Sequence, residues 1–204
     1  MCELLAATSK NKIFMNEYLR TFYSHSEEHR NGWGLALLDR SPVFVEKEPV
    51  KASDSLRLNE ILAQYQYIQN GSTDSERILL YIIDEVNRHI SMQEDMSDVN
   101  NRIKIIEEVI KSIVPGNKVN LMIYDSEYFY VHKNEAGTMH MREKDGGVIL
   151  STQALEPKGW EEVVQNRLLV YKEGELVYEG QSHNDTYIHD EKRMEVLFLQ
   201  YSGL

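Results

Sequence analysis

Apolar residues recur at helical spacing in three stretches of the chain and at alternate positions in a longer region that follows, so the period itself separates helices from strands. In NKIFMNEYLRTFYSHS, Ile13, Phe14, Tyr18, Leu19, Phe22 and Tyr23 share one side of a predicted helix. A second helix is predicted over STDSERILLYIIDEVNRHI, with Ser72 or Thr73 as its cap and Glu76 as the acidic residue of the first turn. Its expected inner face is Ile78, Leu79, Ile82, Ile83 and Val86. A third, VNNRIKIIEEVIKSIV, buries Val99, Ile103, Ile106, Val109, Ile110 and Ile113 before Pro115 and Gly116 stop it. Residues 3–8, ELLAAT, predict a first strand, and WGLALL and PVFVEKEP predict a hairpin turning through DRSP. After Lys118 the pattern alternates. KVNLMIYD, YFYVHK, TMHMRE, GGVILST, RLLVYKEG and ELVYEG are short, rich in β-branched and aromatic residues, and punctuated by Gly, Asn or Asp. They predict an antiparallel sheet, and the whole order predicts an α+β layered fold with sheet inside and helices outside.

Composition narrows the class. The 204 residues suit one domain with room for a full core, and residues 181–204, polar at first and apolar at the end, read as a tail. Twenty-two basic against 33 acidic residues leave a net charge of −11, which disfavours nucleic acid and anionic membranes as partners. No apolar run approaches a membrane span, no signal-peptide pattern opens the chain, and one cysteine cannot form an internal disulfide. These features predict a cytoplasmic protein.

That single cysteine, Cys2, directly follows the initiator methionine. Once Met1 is removed, thiol and α-amine belong to one residue, and an amine titrating at about 7.7 to 8.0 can serve its own thiol as a base. The other reading is a small buried hydrophobe at the start of a strand, and position alone favours it. HSEEH, at His25 to His29, fits the H-x-x-E-H pattern of one zinc-protease class, but Asn31 and Gly32 interrupt the helix and no third ligand stands in a recognisable context. No metal site is expected. Gly32 and Gly34 flank Trp33, an arrangement for tight packing and not for cradling phosphate, and no G-x-S-x-G elbow is present.

Several segments in fixed order carry a stronger signal. MCELLAATS, HRNGWGLALLD, VEKEPVKASDS, GSTDSE, GVILSTQALEPKGWEEV and LLVYKEGELV follow one another as in class II glutamine amidotransferases of the N-terminal nucleophile hydrolase superfamily, which the chain resembles over most of residues 1–180. The resemblance implies a four-layer αββα sandwich with a shortened first sheet, and hydrolysis of the glutamine side-chain amide to glutamate and ammonia. Cys2 would be the catalytic nucleophile. Asp74, in TDSE, would hold the substrate α-amino group, although an acidic residue in a helix's first turn is favourable in any case. Trp33 and Gly34 would complete the substrate-binding side behind the nucleophile strand. His29 matches a position commonly occupied in the family and is assigned no chemistry.

One departure matters. Between KASDS and GSTDSE the family carries an H-I-R-x-A-T strand and an H-N-G turn, whereas only LRLNEILAQYQYIQN stands here. The arginine that would bind the substrate carboxylate and the Asn-Gly of the oxyanion hole are missing. Asn70 and Gly71 adjoin STDSE, in the loop before the helix, and Arg57 stands in no matching context. The expectations are glutamine as substrate, no cofactor, a possible homodimer through residues 56–70, and weak activity, with a non-catalytic scaffold as the alternative.

Overall fold

Turn chemistry shapes the sheets of the computed structural model, which describes residues 3–25, 34–38, 44–47 and 74–190. Strand β6 (His140–Lys144) joins β7 (Gly147–Ser151) through Asp145 and Gly146, and β9 (Arg167–Lys172) joins β10 (Glu175–Glu179) through Glu173 and Gly174. All four turn residues have positive φ, between 51° and 89°. Two left-handed residues in a two-residue loop match the right-handed twist of the flanking strands, and Gly tolerates them without strain. A side chain at Gly174 would also meet the Gly147 Cα at 2.5 Å, so the two hairpin turns touch backbone to backbone.

The chain divides into two compact units, residues 1–51 with 119–184 and residues 52–118 with 185–204. In the first, β1 (Leu5–Ser9) leads an antiparallel sheet of order β1-β7-β6-β8, where β8 is Glu161–Glu162. A second antiparallel sheet runs β10-β9-β5-β4, with β4 Leu121–Tyr124 and β5 Phe129–Lys133. Strands β2 (Gly34–Leu37) and β3 (Phe44–Lys47) pair with each other, as the DRSP hairpin predicts. The late strands therefore do not make one sheet: β6 and β7 join the N-terminal strand, and β4, β5, β9 and β10 form the other layer.

The two four-stranded sheets stack through Val148 and Leu150 on one side and Phe129, Val131, Leu169 and Tyr171 on the other, with Ala6, Met122 and Met141 at the margin. The opposite face of β7 is also covered. Ile149 and Leu5 pack with Tyr18 and Phe22 of α1 (Asn16–Ser24), and the Tyr18 ring meets Trp160 edge to face at 5.9 Å. Burial on both faces explains why VIL in β7 and LLVY in β9 read as unbroken apolar runs. Helix, sheet and sheet thus form successive layers, consistent with a sandwich.

In the second unit, α2 (Asp74–Ser91) packs with α3 (Val99–Ile113), and the Tyr81 and Ser112 hydroxyls meet at 3.3 Å. Asp98 caps α3 by accepting from Asn100 N at 2.9 Å. The predicted inner face of α3 is buried from Ile103 to Ile113. Two expectations fail. Phe14 precedes α1 and is 80 % exposed, and on α2 Ile78 and Ile82 are buried while Leu79 and Ile83 are about half exposed, at 52 % and 46 %. Among the described residues no helix is long and apolar enough to cross a membrane.

Candidate site at the start of the first strand

Strand β1 begins three residues after Cys2, and its register with β7 runs from Leu5 opposite Ser151 to Ser9 opposite Gly147. Pairing continues past the strand end. Leu4 N donates to Thr152 Oγ1 and Thr152 N to Leu4 O, both at 3.0 Å, so a side-chain oxygen satisfies a backbone donor where the ladder stops. The row extends across the sheet: Met139 N donates to Thr152 O, and Val163 N to Met139 O. Leu4, two residues after Cys2, is thereby held to Thr152 by two hydrogen bonds that prolong the sheet.

Alternation assigns the side chains. Ala6 turns to the core between the sheets, whereas Leu5 turns to α1. Glu3 takes the same side as Leu5, and its carboxylate meets His25 Nδ1 at 2.7 Å just beyond the end of α1. His25 is thus engaged with an acid two residues ahead of the first strand. Among the described residues no group of three or more His, Cys, Asp or Glu is placed to hold a metal ion, and His29 lies outside them.

Of the four residues singled out from sequence, Cys2 and Trp33 lie outside the described residues. Gly34 is the first residue of β2, opposite Lys47. Asp74 is the first residue of α2, and its side chain lies outside those described. Residues 56–70, Asn70 and Gly71 also lie outside them. Sequence reasoning missed the groups that hold the start of β1, Glu3 with His25 and Leu4 with Thr152. The Glu3–His25 contact joins residues 22 positions apart and the Leu4–Thr152 hydrogen bond residues 148 apart, separations that no local pattern encodes.

No family model matches the chain. It is similar to an uncharacterized protein of Methanocaldococcus jannaschii, 21 % identical over 265 residues that cover 91 % of this chain and 73 % of that protein. The matched stretch is longer than the 204-residue chain itself, so it includes residues of the relative that have no counterpart here.

Proposed function

We propose that the chain is a class II glutamine amidotransferase-type protein of the N-terminal nucleophile hydrolase kind, with Cys2 as its nucleophile and glutamine as its substrate. The supporting observation is the seating of β1. The residue after Cys2 is tied to His25, the next is hydrogen-bonded to Thr152, and β7, which contributes the GVILST segment of the resemblance, pairs along the strand. Removal of Met1 frees the α-amine. That amine takes the thiol proton, the thiolate attacks the side-chain carbonyl carbon, and collapse of the tetrahedral adduct transfers the proton to the departing ammonia, leaving a thioester. Water then releases glutamate and restores the thiol. Asp74 is assigned to the substrate ammonium, and Trp33 with Gly34 to the wall behind the nucleophile.

A second reading, a non-catalytic scaffold, draws on the short stretch between KASDS and GSTDSE and on the relative's additional residues. Intact mass and a thiol-directed glutamine analogue distinguish the two. The catalytic reading expects a chain without Met1 and one adduct at Cys2 whose formation is slowed by excess glutamine. A chain that keeps Met1 on nearly every molecule, or labelling indifferent to glutamine, would decide for the scaffold.

A further inference from the structure

Glu3 breaks the pattern of the strand start. By alternation it takes the side of Leu5, which packs under α1 with Tyr18 and Phe22, and its side chain is only 9 % exposed. An acid thus stands where the layer calls for an apolar residue. A carboxylate so enclosed costs free energy unless a donor answers it, and the donor is His25 Nδ1 at 2.7 Å. A carboxylate oxygen only accepts, so Nδ1 carries the hydrogen. His25 directly follows α1, which the buried Tyr18 seats on the sheet. A leucine at position 3 would fill the layer without that cost. An apolar contact slides, however, whereas a hydrogen bond to a carboxylate fixes a distance and a direction.

The strand start is held in two directions. Leu4 exchanges hydrogen bonds with Thr152 in the plane of the sheet, and among the described residues β1 is the end strand, paired along one edge only. Pairing along one edge does not by itself stop rotation about that edge. The Glu3 side chain, reaching out of the sheet plane to the end of α1, supplies the second hold.

We propose that His25, acting through Glu3, is a positioning residue for the Cys2 thiol, fixing the direction in which the chain leaves residue 3 toward the nucleophile. The proposal rests on the glutamine amidotransferase reading. Its leverage is geometric: misplacing a reacting group by about 1 Å lowers a rate by about 10²-fold, and Glu3 is the immediate neighbour of Cys2 in the chain. The competing explanation is that the contact only satisfies an enclosed carboxylate. Reactivity at Cys2 would then follow the stability of the fold and nothing finer.

Labelling of the full-length chain without Met1 by a thiol-directed glutamine analogue, beside iodoacetamide as a reagent that needs no bound geometry, separates the two. Glu3→Leu supplies the apolar side chain of the layer and leaves His25 within reach of water, so the thermal midpoint should hold, as when other buried polar pairs are replaced by apolar groups. Labelling at saturating analogue should nevertheless slow about tenfold or more, with the iodoacetamide rate changed by less than about twofold. His25→Ala should do the same to both reagents. His25→Asn, whose amide nitrogen stands where Nδ1 does, should bring the analogue back to within about threefold of the parent rate. An analogue rate unchanged in Glu3→Leu, His25→Asn as slow as His25→Ala, or labelling by both reagents that tracks thermal stability across the variants would overturn the inference, while glutamine-protected labelling of the parent chain kept the amidotransferase reading. Parent labelling that glutamine does not slow would instead remove that reading and this inference with it.

Discussion

His132 shows how burial sets chemistry at a single residue. It is fully enclosed in β5, and because Val119 O, 3.0 Å away, can only accept, Nδ1 carries the hydrogen. Nε2 then accepts from His183 Nε2 at 2.9 Å. Burial, aided by the neighbouring His183, lowers the pKa of His132 from 6.5 to about 3. Below about 6.5 the unfolded chain takes up a proton that the folded chain refuses until about pH 3, so this contribution to stability is complete above that window and falls as pH drops through it. Urea unfolding between pH 7 and 5 should show stability declining, His132 contributing up to about 1.4 kcal/mol per pH unit, and His132→Phe should flatten the slope even though it weakens the fold. An equal slope in both proteins would refute the assignment. Next along the strand, the wholly buried Lys133 donates to Thr138 O at 2.6 Å and to Glu162, whose carboxylate also accepts from Gly137 N at 2.9 Å. Burial lowers the Lys133 pKa and the Glu162 carboxylate opposes that shift. Glu162→Gln leaves the ammonium enclosed without its counter-charge and should cost about 1 to 3 kcal/mol in denaturant midpoints, whereas Lys133→Met should cost less.

At the scale of the element, α2 shows where pattern reading stops. Ile78, Ile82 and His89 are buried, while Leu79, Ile83 and Ile90, at the same spacing one residue later, are half exposed. One residue is 100° around a helix of 3.6 residues per turn, so two adjacent apolar stripes satisfy the same periodicity and only packing selects between them. Ile82→Ala should therefore cost about 2 to 4 kcal/mol, whereas Leu79→Lys and Ile83→Lys should stay within about 0.5 kcal/mol by thermal unfolding. The reverse ranking would return Leu79 and Ile83 to the inner face. Other elements were legible for physical reasons. Alternation punctuated by Gly, Asn or Asp announced antiparallel strands such as β6–β7 and β9–β10, and of the six inner positions expected in α3 five are buried, with Ile105, which the pattern did not single out, buried beside them. The division of strands between two sheets was not legible, since β1 finds β7 across more than 130 residues and local pattern carries no partner. Glu161–Glu162 was missed because a two-residue acidic strand, pairing only with His140 and Met141, has no period to read.

For the whole molecule, the question is what a two-sheet sandwich can do with the residues it retains. The role proposed for Cys2 rests on the order of segments around it, because a lone cysteine in an apolar stretch carries no specificity. The proposed reaction needs a nucleophile, a clamp on the substrate carboxylate and donors to the oxyanion, and the sequence keeps the first while lacking the family's arginine strand and Asn-Gly turn. Loss of one oxyanion donor alone lowers rates by about 10² to 10³, and loss of the clamp adds misplacement of the scissile amide. Glutamate release from glutamine by the 204-residue chain without Met1 should accordingly be absent or well below about 1 s⁻¹, with Cys2→Ala as the blank. Thiol labelling at Cys2 that glutamine still slows would then show binding without efficient turnover, the state expected when Asp74 and the thiol persist and the oxyanion donors do not. Turnover at ordinary enzyme rates that vanished in Cys2→Ala would mean that another group supplies those donors. Asn70→Ala and Gly71→Ala would then be the variants to measure, because that Asn-Gly pair stands directly before the STDSE segment that opens α2.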